Sequence, residues 1–175
     1  MEQRYDLSGS LLHWYDYNKR ILPWRENKDP YRIWISEIML QQTRVEAVKP
    51  YFDRFMEVLP TVYDLAKVDD DRLMKLWEGL GYYNRARNLK AAAQTIVEEY
   101  GGQLPADYDK LLSLKGIGMY TAGAIGSIAF ELQVPAVDGN VLRVLTRLWG
   151  DDSDILKDKT KKAMGRRVME FMPED

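Results

Sequence analysis

The stretch LLSLKGIGMYTAGAIGSIAF, residues 111–130, has two helical segments joined by the short loop Lys115-Gly116-Ile117-Gly118. The two glycines allow backbone angles that are closed to other residues, and Ile117 between them can pack into the helix pair. The loop then presents backbone N–H groups at the start of the second helix, where the helix dipole favours an anion. Because Lys115 adds a positive charge, the sequence predicts an anion site at this turn.

Two interpretations of this turn are open. One is a tight turn between two helices, whose glycines serve only packing. The other is a helix-hairpin-helix, which holds a DNA phosphate without reading the base sequence. The small residues of TAGAIGSIA, 121–129, allow close helix approach and favour the second interpretation. The cations Arg85, Arg87 and Lys90, and those of KDKTKKAMGRR at 157–167, agree with it, although such runs are most often solvated helix faces.

The remaining sequence also predicts helices, because no segment shows sustained alternation of apolar and polar residues. Helix starts are indicated by Asp29-Pro30, by TVYD at 61–64, and by Asp107. The capping box TRVE, Thr43–Glu46, predicts a further helix that begins at about residue 44. Since the connections are short, the sequence predicts an all-α fold in a compact domain.

Composition limits the possible functions. The chain has 175 residues, of which 46% are hydrophobic and 30% charged, so a substantial core is possible. It has no cysteine and a single histidine, His13, which excludes disulfides, Cys-ligated zinc or iron–sulfur sites and multi-His metal sites. The net charge of −2 argues against a strongly basic nucleic-acid arm but allows a local positive patch. No apolar run approaches the ~18 residues of a membrane span and the N-terminus lacks a signal-peptide core, so no membrane contact and a cytoplasmic location are expected.

The segment SEIMLQQT, residues 36–43, interrupts an otherwise apolar pattern. Apolar residues recur around it at helical spacing, as a buried helix face requires. Glu37 and Gln41 are one helical turn apart and can share a face, and Gln42 follows directly. A carboxylic group in such an apolar setting is biased towards its protonated form.

A second carboxylic group stands in VPAVDGNVLRVL, residues 134–145. Asp138 follows apolar residues and precedes Gly139, which predicts an N-cap for the next helix. The N–H groups and the dipole at a helix start hold such a carboxylate in its charged form. Two carboxylic groups with opposite biases are typical of the acid and the carboxylate in glycosidic bond cleavage. The acid protonates the leaving group, and the carboxylate stabilises the oxocarbenium ion.

With these residues in view, the chain resembles the MutY-type adenine DNA glycosylases of the helix-hairpin-helix glycosylase superfamily. That family removes adenine mispaired with 8-oxoguanine. The resemblance covers nearly the whole chain, and its most specific elements are SEIMLQQT, LGYYNRARNL and VDGNV. The matching stretches are LPWR (22–25), PYRIWISEIMLQQTRVEAVKPYF (30–52), LWEGLGYYNRARNL (76–89), LKGIGMYTAGAIGSIAF (114–130) and VDGNVLRVLTRL (137–148).

The resemblance implies a role for each matching residue. Glu37 is the acid that protonates N7 of the flipped adenine, and Asp138, oriented by Asn140, stabilises or briefly bonds the sugar cation. Gln42 is the residue inserted into the base stack, and Tyr82 is the wedge beside 8-oxoguanine, the alternative for Tyr82 being an ordinary half-buried aromatic. The other residues expected to contact substrate or DNA are Trp24 and Arg25 at the adenine pocket, Gln41 and Thr43, and Lys115, Gly116, Ile117 and Gly118 of the hairpin.

Tyr120 distinguishes between relatives. Endonuclease III-like enzymes, which act on oxidised pyrimidines, place a lysine at this position, and its amine forms a Schiff base that leads to strand cleavage. A phenol cannot form that imine, so Tyr120 favours a monofunctional hydrolase. The alternatives are an endonuclease III-like glycosylase and lyase, or a non-catalytic helix-hairpin-helix fragment that binds DNA. Lys115 departs from the proline that relatives often carry there, but a lysine can still contact phosphate.

The resemblance also implies the architecture and the partners. A six-helix lobe is expected at 25–135, with the hairpin at 111–130, and a second lobe from residues 1–24 and 136–175. Relatives usually continue into a four-cysteine loop that holds a 4Fe-4S cluster and into a C-terminal domain that recognises 8-oxoguanine. This chain ends before both, so the second lobe is expected to be incomplete and to carry no cofactor. A monovalent cation at the hairpin, double-stranded DNA with an A:8-oxoguanine or A:G mismatch as partner, a monomeric state, and a location with the bacterial chromosome are expected.

Overall fold

The computed structural model describes residues 6–173, and every regular element in that range is helical. The predicted all-α class is therefore confirmed. A short 3-10 helix, Pro23–Arg25, lies between the first two α-helices. The α-helices of this range are α1 (Leu7–Asn18), α2 (Pro30–Leu40), α3 (Val45–Val58), α4 (Val62–Lys67), α5 (Asp70–Trp77), α6 (Asn84–Tyr100), α7 (Tyr108–Ser113), α8 (Met119–Phe130), α9 (Gly139–Trp149) and α10 (Asp158–Met169).

Most helix starts lie where the side-chain caps predicted them. Asp29 accepts the N–H of Tyr31 at 2.9 Å and Pro30 takes the first helical position of α2. Thr61 and Asp64 form a reciprocal capping box at α4. Asp107 accepts the N–H of Lys110 at 2.9 Å and starts α7. These caps satisfy N–H groups that have no partner within the helix.

The capping box predicted at Thr43–Glu46 is wrong. Helix α3 begins at Val45, with Arg44 as N-cap and no side-chain cap. The Thr43 hydroxyl instead donates to the carbonyl of Gln41 at 3.4 Å. The physical reason is the preceding turn: Gln42 has a left-handed backbone, with a φ of 59°, which folds Thr43 back towards the end of α2.

The predicted hairpin joins α7 to α8, and its two glycines differ. Gly116 has a φ of +81°, and a Cβ there would meet the Cβ of Asn88 at 2.8 Å, so this position requires glycine. Gly118 has a φ of −92° and a ψ of 177°, which any residue can adopt, so the expectation of special angles at both glycines is wrong. Ile117 is buried between the helices, with 4% of its surface exposed, as predicted.

The hydrophobic core surrounds α2. Helix α2 packs against α3 and α8, and the side chains it buries are Tyr31, Ile33, Trp34, Ile35, Ser36, Glu37, Ile38 and Met39. All residues of the continuous core cluster lie between Trp24 and Ile125. The acidic side chain of Glu37 on α2 therefore lies in the buried core.

The helices outside this cluster bury little. Helix α1 has no buried residue, whereas α9 buries Leu142 and α10 buries Met164. The division into lobes at 25–135 and at both termini stays a prediction, and residues 1–5 and 174–175 of the second lobe lie outside the described residues. Among the helices described, none combines the length and the apolar character that a membrane crossing would need.

Candidate active site

Glu37 is held inside the protein by a cation. Its side chain is only 3% exposed, and its Oε1 accepts a hydrogen bond from Nη2 of Arg25 at 2.9 Å. Arg25 ends the short 3-10 helix that precedes α2. The apolar setting predicted for Glu37 is thus incomplete, because its carboxylate has a guanidinium as hydrogen-bond partner. The other terminal nitrogen of Arg25, Nη1, is buried and has no hydrogen-bond partner within residues 6–173, so it can serve a bound molecule.

Asp138 is the N-cap of α9, as the sequence predicts. Its Oδ1 accepts the N–H of Val141 at 2.8 Å, and its Oδ2 accepts a hydrogen bond from Nδ2 of Asn140 at 3.1 Å. These two donors fix the position of the carboxylate. Asn140 thus contacts the carboxylate that it is expected to orient, and that role stays a prediction.

Gly123 on α8 allows the segment that precedes Asp138 to lie close to this helix. A Cβ at Gly123 would collide with the backbone carbonyl of Pro135 and would also meet Cα of Ala136 at 3.1 Å. Because Gly123 has no side chain, residues 135–137 can cross α8 in direct contact with its backbone. This crossing places Asp138 beside the first turn of α8, which begins at Met119.

Tyr120, in that first turn, lies between the two carboxylates. Burial raises the pKa of its phenol above the ordinary value of 10.0, and the charges of Glu37 and Asp138 raise it further, while Arg25 lowers it. All three charged groups therefore lie within electrostatic range of Tyr120. The phenol stays protonated at neutral pH, and the structure places Glu37, Asp138, Arg25 and Tyr120 around one centre.

A cleft of about 750 Å³ opens at this centre. Helices α8, α9 and α10 form its walls, and the predicted site residues on it are Gln41, Gly118, Tyr120 and Asp138. Lys161, Lys162 and Arg166 of α10 also line it. The basic run at 157–167 is therefore partly a cleft wall, which gives this opening a local positive charge despite the net charge of −2.

A second cleft, of about 480 Å³, is lined by Gln41, Gln42 and Tyr82. Gln41 is common to both clefts. Gln42 and Tyr82 are non-glycine residues with left-handed backbones, at φ values of 59° and 48°, and Tyr82 is 66% exposed. The two residues expected to enter a base stack therefore lie on one surface, next to the mouth of the first cleft.

Several of the basic residues counted towards DNA binding have partners within the protein, including Lys161 with Asp158 and Arg167 with Asp151. The guanidinium of Arg85 points inward and donates to the Ile38 and Gln41 carbonyls at 2.7 Å, so it is not a free phosphate contact. Lys90 is paired with Asp70. The sequence does not predict this role of Arg85. The Ile38 and Gln41 carbonyls are distant from Arg85 in the sequence, and a backbone carbonyl can be supplied by any type of residue.

The remaining predicted residues differ in their surroundings. Lys115 is exposed at the hairpin tip, and a Cβ at Gly118 would find no atom within 4 Å, so the start of α8 is open to a ligand. Trp24 is 1% exposed and packs edge-on against Phe52 at 5.4 Å. It lies in the core and lines neither cleft, so it can support Arg25 but does not form a wall of the openings seen here.

The site contains no metal-binding arrangement. Within residues 6–173, no group of three or more His, Cys, Asp or Glu side chains could hold a metal ion. The sequence has no cysteine, so it cannot supply thiolates to an iron–sulfur cluster.

Comparisons with known proteins agree with this geometry. Residues 35–171 match the HhH-GPD superfamily of base excision DNA repair proteins. The chain is 47% identical over 148 residues to an adenine DNA glycosylase of Rattus norvegicus, covering 79% of this chain and 29% of the rat protein. It is 45% identical over 157 residues to an adenine DNA glycosylase of Buchnera aphidicola, covering 89% of this chain and 45% of that protein.

Among solved structures, the fold resembles that of a thermostable thymine-DNA glycosylase. The TM-score is 0.86 at 30% sequence identity, and the match covers 95% of this chain and 76% of that one. The helix-hairpin-helix glycosylase fold expected from the sequence is therefore confirmed. The chain spans less than half the length of the two adenine DNA glycosylases, at 29% and 45%.

Proposed function

Since the chain belongs to the HhH-GPD superfamily of base excision DNA repair proteins, we propose that it carries the catalytic site of an adenine DNA glycosylase. The reaction is hydrolysis of the N-glycosidic bond of an adenine mispaired with 8-oxoguanine or guanine. The observation that carries this proposal is the proximity of Glu37 and Asp138 to Tyr120, together with the position of Tyr120 and Asp138 on the larger cleft. The identity to adenine DNA glycosylases supports the choice of base.

The two carboxylic groups divide the chemistry. Glu37 gives its proton to N7 of the adenine, the C1′–N9 bond breaks, and its electron pair leaves with the base. Asp138 stabilises the positive charge that develops on the sugar, since its carboxylate is already fixed by Val141 and Asn140. Fixed charge aimed at the transition state is commonly a large catalytic contribution. A water molecule then adds to C1′ and releases the proton that restores Glu37.

Arg25 offers a second binding group beside Glu37. Its Nη2 donates a hydrogen bond to Glu37 at 2.9 Å. Its Nη1 is buried and has no hydrogen-bond partner within residues 6–173. We propose that Nη1 donates a hydrogen bond to the entering base and holds the base beside Glu37.

Tyr120 supports hydrolysis without strand cleavage. A lyase needs an amine that attacks C1′ and forms an imine, and a phenol cannot do so. The raised pKa of Tyr120 also keeps its oxygen protonated and weakly nucleophilic. In the proposed reaction Tyr120 closes the floor of the cleft between the two carboxylates and leaves the DNA strand intact.

The proposed partner is double-stranded DNA that carries the mismatch. Lys115 and the N–H groups at the start of α8 would hold a phosphate at the hairpin, Gln42 and Tyr82 would enter the base stack, and Lys161 and Lys162 would face the backbone beside the flipped base. We also propose that hairpin carbonyls bind a monovalent cation, whose role would be to brace the loop against the phosphate.

The proposal is tested with duplexes that contain adenine opposite 8-oxoguanine, guanine or thymine. Adenine release is measured under single-turnover conditions. Each reaction sample is then divided in two, and only one half is treated with hot alkali before strand breaks are measured. The expected result is release from the two mismatches but not from A:T, with strand breaks only after alkali. Exposed Glu46, which pairs with Lys49, provides a control variant, Glu46→Gln, that should behave like the parent.

Each other outcome contradicts part of the proposal. Strand breaks without alkali would indicate a lyase of the endonuclease III type. Duplex binding without adenine release would indicate a DNA-binding unit with no glycosylase activity of its own. Equal adenine release from A:T and from the mismatched duplexes would contradict the proposed specificity for mismatches.

A further inference from the structure

One side chain, Arg85 in the first turn of α6, connects two loops that are distant in sequence. Its Nη1 lies at 2.7 Å from the carbonyl oxygens of Ile38 and Gln41 and 3.3 Å from that of Met39. Its Nη2 lies at 3.0 Å and 3.2 Å from the carbonyl oxygens of Leu80 and Gly81. A single guanidinium thus binds the end of α2 on one side and the loop before α6 on the other.

The first set of acceptors belongs to a helix end. The last carbonyls of α2 lack partners within the helix, and a cation is the favoured group at this end of the dipole. The planar fork of arginine can serve several acceptors at once, whereas a lysine supplies a single point charge. Arg85 therefore caps α2 from another helix, and any movement of the loop before α6 is transmitted to that cap.

Each connected loop carries one strained residue directly after the contacted carbonyls. Gln42 follows Gln41 with a φ of 59°, and Tyr82 follows Gly81 with a φ of 48°. Left-handed conformations of non-glycine residues cost free energy and persist only where the surroundings impose them. Arg85 is the one group in residues 6–173 that hydrogen-bonds both loops.

Arg85 is itself held from two sides. Its guanidinium lies 5.4 Å from the centre of the buried Trp77 ring and 5.7 Å from that of Tyr82. The indole N–H of Trp77 also donates to the carbonyl of Gly81 at 3.1 Å. The guanidinium is thus anchored to the core through Trp77, while Tyr82 covers it from outside.

We propose that Arg85 is a positioning residue that couples the Gln42 and Tyr82 loops, so that both side chains are presented to DNA as one preformed unit. The DNA-facing part of this inference rests on the proposed function, whereas the coupling of the two loops does not. The substitutions that test it are Arg85→Lys, which keeps the charge, and Arg85→Gln. The matched control is Arg72→Gln, because Arg72 is exposed on α5 and lines neither of the two clefts.

The first measurement is amide hydrogen exchange of the free chain. Both Arg85 variants should speed exchange in residues 41–43 and in residues 80–83 together, while the amides of α2 and α6 keep the parental rates, because only local opening is affected. Arg72→Gln should match the parent. Faster exchange in only one loop, or a uniform increase that includes the core, would overturn the coupling.

The second measurement uses DNA. A duplex with 2-aminopurine beside the mismatch reports insertion by its fluorescence, and titration gives the Kd. Arg85→Lys should weaken binding about tenfold, the order expected when hydrogen bonds from a charged donor are lost, and should reduce the fluorescence change. In a Gln42→Ala/Tyr82→Ala background the same substitution should change the Kd by less than about twofold, since interacting residues are non-additive.

Failure of the Arg85 inference can be distinguished from failure of the proposed function. Suppose that the parent binds the mismatch and that Arg85→Lys weakens binding equally in the parent and in the Gln42→Ala/Tyr82→Ala variant. Arg85 then does not act through Gln42 and Tyr82, and the inference is wrong. If the parent binds no duplex, the proposed function is wrong, while hydrogen exchange still decides whether Arg85 couples the loops.

Discussion

Asp138 has two uses that a single substitution can separate. It caps α9 through the Val141 N–H at 2.8 Å, and its charge is proposed to face the sugar cation. Asparagine caps helices about as well as aspartate, whereas alanine does not. The structural and the chemical uses of this carboxylate therefore predict different results for the two variants.

Asp138→Asn should keep the free energy of unfolding near the parental value and slow adenine release about 100-fold, because the charge near the transition state is lost. Asp138→Ala should slow the reaction equally and also lower the free energy of unfolding by about 1 kcal/mol. Chemical denaturation and single-turnover kinetics measure the two effects. An active Asp138→Asn would show that the cap is the only use of this residue.

At the scale of elements, the two glycines of the hairpin have different roles. Gly116 is required by the backbone conformation, whereas Gly118 leaves the start of α8 open to a ligand. Gly116→Ala should lower the free energy of unfolding by at least about 1 kcal/mol, because φ is positive and Asn88 is in the way. Gly118→Ala should change stability by less than about 0.5 kcal/mol, since its backbone is ordinary and its surroundings are open. If a phosphate approaches there, Gly118→Ala should nevertheless weaken duplex binding, with little dependence on base sequence. Unchanged affinity for Gly118→Ala would contradict that docking position.

Tyr31 links α2 to the end of α3, and its ionisation lowers the stability of the fold at alkaline pH. Its buried hydroxyl donates to the carbonyl of Leu59 at 2.9 Å, and burial first, then Asp64 and Asp29, raise its pKa above 10.0. The unfolded chain loses this proton first as pH rises through the ordinary value, so stability is complete below that pH and falls above it.

The substitution Tyr31→Phe should therefore cost about 1 kcal/mol at neutral pH and flatten the loss of stability in alkali. Thermal unfolding between pH 7 and 11 checks both effects. Tyr17→Phe, at a residue that is 80% exposed, is the control and should change neither. A Tyr31→Phe variant with the parental alkaline profile would show that another group causes the loss.

Across the whole molecule, charge is distributed unevenly. The chain carries a net charge of −2, yet Lys161, Lys162 and Arg166 line the larger cleft. Each cation that neutralises a DNA phosphate contributes about 0.9 to the slope of log K against log salt. Lys162→Gln should reduce that slope by about this amount, whereas Lys67→Gln, at an exposed residue on α4, should leave it unchanged. Equal slopes for the Lys162→Gln variant and the parent would place the DNA elsewhere.

Local signals predicted the helices well and the loops poorly. Asp29, Thr61, Asp107 and Asp138 cap helices as expected, because a cap depends on residues only a few positions apart. The capping box at Thr43 failed because Arg85, more than one helix away, holds the preceding turn. The pairing of Arg25 with Glu37 was missed for a similar reason, since no periodicity reveals which cation reaches a buried acid. The arrangement of Glu37, Tyr120 and Asp138 around one centre was foreseen only through the family resemblance.

The most direct test of the account is the single-turnover rate of Glu37→Gln on an A:8-oxoguanine duplex, beside Glu46→Gln and the parent. Glutamine keeps the shape of Glu37 and can still accept the Arg25 hydrogen bond, but it has no proton to give. We expect Glu37→Gln to bind the duplex with nearly the parental Kd and to release adenine at least about 100-fold more slowly, while Glu46→Gln matches the parent. Adenine release by Glu37→Gln at the parental rate would contradict the assignment of Glu37 as the acid.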